Sequence, residues 1–318
     1  MTKSVTLLFP GQGSQYVGMG KNIEGHSAFS LFENANTTLG YNLSKIMFEG
    51  PEEELKLTEN TQPAILNHSI ALFLKTKELL DKYEVKIDRV LGHSVGEYAA
   101  LVAAGVLSID DATKAVHLRG KYMQQAVPVG TGKMFAILKV PENVVREACA
   151  AVSKPGSEVM PANFNEQTQI VISGESEACL RAVKWLEENY KEAHRSMELN
   201  VSAPFHSSLM KPAADKLKLE FQKMHWNKNT VPYIANIDAM EYSTGTNPDI
   251  IQSNLYEQAY GPVLWTQSIL KLSDDTLCLE VGPGRVLMGL VCKINKNIKV
   301  VSLDKEDAFA ELEDLLRN

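Results

Sequence analysis

Short apolar runs alternate with longer segments of helical periodicity along most of the chain. Short unbroken apolar runs predict buried strands, whereas apolar residues spaced three and four positions apart predict helices. Strands are predicted at residues 5–9, in the run that ends at residue 92, and at 231–236, 276–281 and 299–303. Because helices separate these strands, the pattern predicts an α/β fold with a mostly parallel sheet that is covered on both faces.

Helices between these strands are indicated by capping residues as well as by periodicity. They are predicted at about residues 27–39, from 51 onward, in the long segment after Thr61-Gln62-Pro63-Ala64, after Gly96, after Ser108, at 208–224, 251–260, 263–272 and 286–294, and at the end of the chain. Three turns that follow strands contain glycine or serine, at Pro10–Gln15, at Ser94 and at Gly282–Gly284. Ligands of such sheets bind beyond the carboxyl ends of the strands, so the site is expected there.

Residues 128–200 follow a different pattern. Strands at 134–140, 159–163, 169–173 and 196–201 and helices at 141–152 and 176–190 give the order β-α-β-β-α-β, which is a ferredoxin-like unit. Because its strands would pair with one another, the flanking segments can form one larger domain across it. We therefore predict a large catalytic domain from residues 1–127 and 201–318, with residues 128–200 as an inserted small subdomain.

The stretch Gly92-His93-Ser94-Val95-Gly96 has the form of a nucleophile elbow. An apolar strand runs into a serine that has glycine two positions away on either side, and a helix of small residues follows. The glycines are needed because the strand and helix backbones pass too close at such a turn for a Cβ. The alternative is a strand that ends in a serine N-cap, and the order of strand, turn and helix favours the elbow.

Composition and charge narrow the classes of function. The chain has 318 residues and a formal net charge of -7, with an isoelectric point near 5.6, which argues against nucleic-acid and anionic-membrane partners. Its four cysteines lack C-x-x-C spacing, so free thiols in a reducing cytosol are favoured over disulfides or a zinc site. The first apolar run is too short for a signal peptide, and no run reaches transmembrane length. We expect a soluble, cytoplasmic protein without a metal, and a monomer.

A serine hydroxyl is a weak nucleophile and needs a base within hydrogen-bonding distance. Of the seven histidines, five lie in helical or surface segments where a structural role is expected: His26, His68, His117, His194 and His225. His93 is expected to point away from Ser94, since neighbours on a strand face opposite sides. His206, in a proline-marked loop, is the remaining candidate for the base.

Seven motifs stand along the chain in an order that resembles a known family. They are Pro10-Gly11-Gln12-Gly13-Ser14-Gln15, Thr61-Gln62-Pro63-Ala64, Gly92-His93-Ser94-Val95-Gly96-Glu97, Arg119-Gly120, Pro161-Ala162-Asn163-Phe164-Asn165, Pro204-Phe205-His206-Ser207 and Gly282-Pro283-Gly284-Arg285-Val286-Leu287. Together they resemble the malonyl-CoA:acyl carrier protein transacylases of dissociated (type II) fatty acid synthesis, over essentially the whole chain. This resemblance implies an α/β-hydrolase-like core with a ferredoxin-like insert, in agreement with the element order above.

The resemblance also implies the catalytic roles. Ser94 corresponds to the nucleophile and His206 to the base, which in this family is oriented by a backbone carbonyl at the position of Gln258. The backbone N–H groups of Gln12 and Val95 correspond to the oxyanion hole.

Further residues are implied to bind the substrate. Arg119 would pair with the malonyl carboxylate, which suits the planar fork of a guanidinium. Phe205 resembles the malonyl-selective form, because an aromatic ring there leaves little room for an α-methyl branch. Asn163, Met123 and Gln62 would line the pocket. The asparagine motif usually continues into proline, whereas here Glu166-Gln167-Thr168 follows, which puts the local loop shape in question.

The implied reaction moves a malonyl group from coenzyme A to the phosphopantetheine thiol of acyl carrier protein through a malonyl-serine intermediate. No permanently bound cofactor is expected, and malonyl-CoA is the substrate. One alternative is a serine esterase or thioesterase with the same elbow, and another is a non-catalytic scaffold that binds the carrier. Because carriers of this pathway are acidic, a local basic patch is needed, for which Lys184, Lys191 and Arg195 are candidates.

Overall fold

The computed structural model describes residues 4–305 and 307–317, and its strands fall into two sheets. In this part of the chain the strands are β1 (Ser4–Phe9), β2 (Lys86–Gly92), β3 (Gly132–Leu138), β4 (Val159–Glu166), β5 (Gln169–Glu175), β6 (Arg195–Glu198), β7 (Tyr233–Ile234), β8 (Glu241–Tyr242), β9 (Leu277–Glu280) and β10 (Lys299–Ser302). Helices connect most of them, as the alternating pattern predicts.

The helices of the described residues are α1 (Ser30–Leu39), α2 (Leu43–Glu49), α3 (Glu52–Lys56), α4 (Thr58–Lys82), α5 (Gly96–Ala103), α6 (Ile109–Gln124), α7 (Glu142–Val152), α8 (Ser176–Asn189), α9 (Lys211–Phe221), α10 (Pro248–Tyr260), α11 (Trp265–Ile269), α12 (Val286–Ile294) and α13 (Ala308–Arg317). Along residues 4–305 and 307–317, none of them combines the length and the apolar character that a membrane crossing needs.

The larger sheet has six strands in the order β10-β9-β1-β2-β7-β8. All neighbours are parallel except β7 and β8, so the prediction of a mostly parallel sheet is confirmed. Leu7 of β1 lies opposite Val90 on one side and Leu279 on the other, and all three side chains are buried. Burial of consecutive residues along β1 fits a sheet that is covered on both faces.

The smaller sheet has four antiparallel strands in the order β4-β5-β3-β6. It contains the predicted β-α-β-β-α-β element order of residues 128–200. Helices α7 and α8 pack on it around a hydrophobic cluster of their own, which includes Phe135, Ile172 and Leu186. The sheet touches the larger part of the molecule through a short parallel bridge between Asn163 and Val263.

The structure differs from the predicted elements mainly at their ends. The predicted strand 231–236 is reduced to Tyr233–Ile234, which turns back into β8, a strand that the sequence pattern did not indicate. The strands predicted at 134–140 and 196–201 begin and end earlier, at Gly132–Leu138 and Arg195–Glu198. Helix α2 was also not predicted.

Helix α4 begins at Thr58, before the Thr61–Ala64 motif, so Pro63 lies inside the helix. A proline removes the N–H that would bond to the carbonyl four residues earlier, which is that of Glu59. In the structure, the ring of His117 takes this role, with Nδ1 3.0 Å from the Glu59 carbonyl oxygen. Because this contact comes from another helix, the sequence around Pro63 could not indicate it.

Candidate active site

Ser94 lies on the sharp turn between β2 and α5. Its φ of +53° is in the left-handed region, which side chains with a Cβ rarely adopt. A Cβ on Gly92 would overlap backbone atoms of Gly96, and one on Gly96 would overlap the Phe9 carbonyl. The turn therefore has the geometry of a nucleophile elbow, with the strand and helix backbones in direct contact.

His206 lies beside this serine although 112 residues separate them in the sequence. Its Nε2 is 2.8 Å from Ser94 Oγ, and its Nδ1 is 2.9 Å from the Gln258 carbonyl oxygen and 3.1 Å from that of Gly261. Because carbonyl oxygens only accept, Nδ1 carries the proton and Nε2 is free to accept one from the hydroxyl. Two backbone carbonyls thus occupy the place that an aspartate takes in a Ser-His-Asp triad.

Burial keeps the imidazole neutral. The pKa of His206 is lowered from 6.5 to about 3, first by burial and then by the positive charge of Arg119, while the bond to Gln258 acts in the opposite direction. A neutral imidazole at pH 7 can accept the proton of Ser94, so this ring is in the protonation state that a general base needs.

Arg119 projects from α6 into the same place. Its Nη1 donates to Gln62 Oε1 at 2.9 Å, and its Nη2 donates to Gln258 Oε1 at 3.0 Å and to Ser94 Oγ at 3.2 Å. The residue is only 2% exposed, and burial lowers the pKa of Arg119 below its usual value. All these acceptors are uncharged, and within the described residues Arg119 forms no ion pair.

An acidic group whose charge would act on this guanidinium is also mostly uncharged. Glu97 is buried, and burial raises the pKa of its carboxyl from 4.5 to about 8. At pH 7 Arg119 therefore keeps a positive charge that no ion pair among the described residues balances. A buried cation without a counter-ion is costly, so the arrangement favours a ligand that brings a carboxylate.

A cavity of about 180 Å³ joins these groups. Its lining includes the following residues of the predicted site: Gln12, Gln62, Ser94, Arg119, Asn163, Phe205 and His206. The smaller sheet contributes apolar wall residues such as Met134 and Val171. A larger cavity of about 780 Å³ lies between α12, β10 and α13 and contains none of the predicted site residues.

Some predicted residues lie behind the cavity wall. Met123, 1% exposed, packs in an apolar cluster with Met134 and Phe205 and is not part of the lining. Gln258 is fully buried behind Arg119 and His206.

At two other predicted positions, Gln12 and Val95, the group of interest is the backbone N–H. The N–H groups of Gln12 and Val95 have no hydrogen-bond acceptor among the described residues. Gln12 is part of the lining, and Val95 directly follows Ser94. Both N–H groups therefore lack a partner within the described chain.

The expectation for His93 was wrong. Its side chain lines the same cavity, with Nε2 2.8 Å from Asn165 Oδ1 and its ring against Trp265. The alternation of side chains holds only inside a strand, and β2 ends at Gly92. Burial lowers the pKa of His93, so this ring is also neutral.

The turn Glu166-Gln167-Thr168, which departs from the family motif, is held by a hydrogen bond within the turn. The carboxylate of Glu166 accepts from the N–H of Thr168 at 2.9 Å, and Gln167 reaches the Ile294 carbonyl at the end of α12 at 3.2 Å. Asn163 still faces the cavity, so the missing proline does not remove this residue from the site.

Sequence reasoning missed two buried residues next to the site. Asn236 accepts from the Ser94 N–H at 2.7 Å and donates to the Gly92 carbonyl at 2.6 Å. Glu97 accepts from Gln258 Nε2 at 2.9 Å. Glu97 could have been noticed in the sequence, since it is an acidic residue among the small apolar residues of a helix that is predicted to be buried. Asn236 had none, because a polar residue at the end of a strand is common.

The described chain contains no group of three or more His, Cys, Asp or Glu side chains arranged to hold a metal ion.

Comparison with known proteins identifies the family. Residues 6–294 match the acyl transferase domain family. The malonyl CoA-acyl carrier protein transacylase of Bacillus subtilis is 44% identical over 309 residues, which are 96% of this chain and 95% of that protein. The chain belongs to the malonyl CoA-acyl carrier protein transacylase family. This agrees with the resemblance of the seven motifs.

Solved structures of this transacylase family have the same fold. The acyl-carrier-protein S-malonyltransferase of Bartonella henselae superposes with a TM-score of 0.91 at 37% identity and covers 100% of both chains. A malonyl-transacylase in complex with a type II PKS acyl-carrier protein superposes with a TM-score of 0.90 at 35% identity, covering 99% of this chain and 100% of that one. Both likenesses extend over both sheets.

Proposed function

We propose that this protein transfers a malonyl group from malonyl-CoA to the phosphopantetheine thiol of acyl carrier protein, and so supplies fatty acid elongation. One observation carries the proposal: a serine hydroxyl with a neutral imidazole at 2.8 Å shares a cavity with a buried guanidinium that forms no ion pair in the described part of the chain. The hydroxyl can take an acyl group, and the guanidinium selects one that ends in a carboxylate.

In the first half-reaction, Ser94 Oγ attacks the thioester carbonyl while its proton passes to His206 Nε2. The carbonyl oxygen becomes an oxyanion, for which the free N–H groups of Gln12 and Val95 are the proposed donors, each contributing roughly 3 kcal/mol to the transition state. The intermediate collapses as the C–S bond breaks, and His206 returns the proton to the departing sulfur of coenzyme A. A malonyl ester on Ser94 remains.

A thiol leaves more readily than an amine, so the histidine needs less help than in a peptidase. A cysteine-like thiol has a pKa of about 8.5, whereas an amine must be protonated before it can leave. This is consistent with carbonyl oxygens, rather than a carboxylate, at His206 Nδ1.

In the second half-reaction, the carrier's phosphopantetheine thiol gives its proton to His206 and attacks the ester. The Ser94 C–O bond breaks, and the serine recovers the proton. Because the first product leaves before the second substrate reacts, ping-pong kinetics follow. The carrier partner is supported by the related transacylase that was solved in complex with an acyl-carrier protein.

The basic residues predicted to meet the carrier lie on α8, on the connection that follows it and at the start of β6. Lys184 pairs with Glu188 at 3.7 Å, and Lys191 donates to the Glu188 carbonyl. Arg195 begins β6 and is exposed. Their contact with an acidic carrier is part of the proposal, and the neighbouring carboxylate weakens the charge that they offer.

We further propose that residues 1–127 and 201–318 form one α/β-hydrolase-like domain and that residues 128–200 form a ferredoxin-like insert. Support comes from the interleaved order of the small sheet and from its separate hydrophobic cluster. A monomer in the cytoplasm completes the proposal, in keeping with the four free cysteines.

Intact mass spectrometry tests the proposed function. The protein is incubated with malonyl-CoA, and its mass should rise by one malonyl group, at Ser94. Carrier protein with a phosphopantetheine arm should then remove the adduct faster than water does. The variant Ser94→Ala serves as the control and should gain no mass.

The two alternatives give different results in the same experiment. A serine hydrolase would lose the adduct to water at the same rate with or without the carrier. A scaffold would form no adduct. The unbalanced charge of Arg119 favours transfer of malonyl over hydrolysis of neutral esters, for which a buried cation has no use.

A further inference from the structure

Glu97 is a buried carboxylic acid that the proposed reaction does not use. It is 1% exposed, lies on α5 three residues after Ser94, and does not line the cavity. Its Oε2 accepts from Gln258 Nε2 at 2.9 Å and from the Asn236 N–H at 3.3 Å. Burying a carboxyl group lowers the stability of the fold unless hydrogen bonds compensate for the lost contacts with water.

The carboxamide of Gln258 connects Glu97 to Arg119. Its two N–H bonds point to Glu97 Oε2 and to the Ser94 carbonyl oxygen, at 2.9 and 2.8 Å. Its oxygen faces Arg119 Nη2 at 3.0 Å. A rotation of the amide by half a turn would set oxygen against two oxygens and an NH₂ group against a cation, so these neighbours allow one orientation.

The backbone of Gln258 has a separate role. Its carbonyl oxygen accepts from His206 Nδ1, and it is held by helix α10 whatever the side chain does. Loss of the side-chain orientation would therefore disturb Arg119, while His206 keeps its backbone carbonyl partner. An effect on Arg119 alone should appear as a change in acyl-group preference.

We propose that Glu97 is a positioning residue: by fixing the Gln258 carboxamide it orients Arg119 and so maintains the preference for an acyl group that carries a carboxylate. The inference rests on the proposed function and extends it to a residue outside the cavity. Since the carboxyl is mostly protonated at pH 7, its part is that of an uncharged acceptor, which glutamine can replace.

The test compares acylation of Ser94 by malonyl-CoA and by acetyl-CoA, as the ratio of their kcat/KM values. Glu97→Met keeps the chain length and loses the acceptor, and it should lower the malonyl-to-acetyl ratio about tenfold, as expected for one hydrogen bond in a charged network. Glu97→Gln keeps the acceptor and should hold the ratio within about threefold of wild type. The loss in Glu97→Met should fall on the malonyl reaction, while acetyl transfer changes little.

A double-mutant cycle shows whether Glu97 acts through Gln258. Gln258→Met alone should lower the ratio about tenfold, and adding Glu97→Met should lower it no further, because coupled residues are not additive. Additive losses, or an unchanged ratio in Glu97→Met, overturn the proposal. If Glu97→Met does not fold, Gln258→Met alone still tests the proposal, because an unchanged malonyl-to-acetyl ratio in that variant would overturn it.

Glu280 provides a matched control. It is also fully buried, and its carboxylate accepts from the N–H groups of Leu287 and Met288 at 2.8 and 2.9 Å, at the start of α12. Glu280→Met should lower stability and leave the ratio unchanged. If wild type forms no malonyl adduct, the proposed function fails and this inference with it; if wild type forms the adduct and Glu97→Met keeps the ratio, only this inference fails.

Discussion

Nη2 of Arg119 lies 3.2 Å from Oγ of Ser94, so the guanidinium that is proposed to select the acyl group contacts the proposed nucleophile. In a malonyl ester of Ser94, the carboxylate is two bonds beyond the ester carbonyl. A guanidinium beside Oγ is therefore within reach of that carboxylate after the chain folds back. The same Nη2 is held by Gln258, which fixes where the carboxylate has to lie.

Replacing Arg119 should separate malonyl from acetyl transfer. In Arg119→Ala, acylation by malonyl-CoA should fall at least about 100-fold, because the substrate carboxylate would be buried without a partner. Acylation by acetyl-CoA should fall much less, since an acetyl group has no charge to pair. Initial rates of adduct formation with each thioester give the measurement. Equal losses for both substrates would remove the selecting role assigned to Arg119.

Much of this site could be predicted from the sequence because its parts are local signals. Gly92 and Gly96 flank Ser94 at positions where a Cβ would overlap backbone atoms, and together with the order of strand, turn and helix they predict the sharp turn. His206 was found by elimination and by its motif, and the structure places it against Ser94. The alternating pattern likewise predicted the parallel sheet that carries the turn.

The residues that were missed are those whose role depends on distant contacts. Asn236 reaches the elbow across 142 residues, and His117 satisfies a carbonyl left free by Pro63. Met123 was expected to line the pocket from the family resemblance, but it packs in an apolar cluster and is not part of the lining. Helix periodicity predicts the side of the helix on which a residue lies, whereas tertiary packing determines whether its side chain reaches the cavity.

The lowered pKa of His206 predicts an unusual pH profile. Since the pKa is lowered to about 3, the acylation rate should stay level as pH falls from 7 to about 5, without the inflection near 6.5 that an exposed histidine gives. Stopped-flow acylation with malonyl-CoA at single turnover gives this profile. An inflection at pH 6 to 7 would mean that the imidazole of His206 titrates as if it were in water.

The same shift affects stability with a defined sign. The unfolded chain binds a proton at this histidine below pH 6.5 and the folded chain does not until about pH 3, so stability is lost as pH falls through this window. Relative to His206→Gln, wild type should lose up to about 1.4 kcal/mol per pH unit there. Urea unfolding of both proteins at several pH values measures the difference, and contributions of other groups such as Glu97 cancel in the comparison. Parallel pH curves would contradict the shift.

Phe205 should disfavour substrates that carry a methyl branch on the α-carbon of the malonyl group. Its ring is part of the wall of a cavity of about 180 Å³, directly before the base. Phe205→Ser opens space beside the α-carbon, so kcat/KM for methylmalonyl-CoA relative to malonyl-CoA should rise about tenfold, the usual discrimination of a pocket for one methyl group. Met123→Ala serves as the control, because Met123 is equally apolar but lies behind the lining. An unchanged ratio in Phe205→Ser would place the restriction elsewhere in the cavity.

Asn236 should hold the elbow in its strained conformation. Its side chain accepts from the N–H of Ser94 and donates to the carbonyl of Gly92, so it joins both ends of the turn at which Ser94 has a φ of +53°. Asn236→Leu leaves two buried backbone groups without partners, and unfolding in urea should show a loss of about 2–4 kcal/mol. Because the nucleophile itself moves, malonyl and acetyl acylation should fall by the same factor, in contrast to the loss expected at Arg119.

A second buried asparagine separates this effect from general destabilisation. Asn229 is 1% exposed, as is Asn236, and it bonds the backbone at Val231 and Thr246, away from Ser94. Asn229→Leu should therefore lose a similar free energy of unfolding while the protein that remains folded acylates Ser94 at the wild-type rate. Wild-type acylation in Asn236→Leu would show that Gly92 and Gly96 hold the turn without help. A slowed reaction there, with Asn229→Leu unaffected, would assign the conformation of Ser94 to a side chain that never meets the substrate.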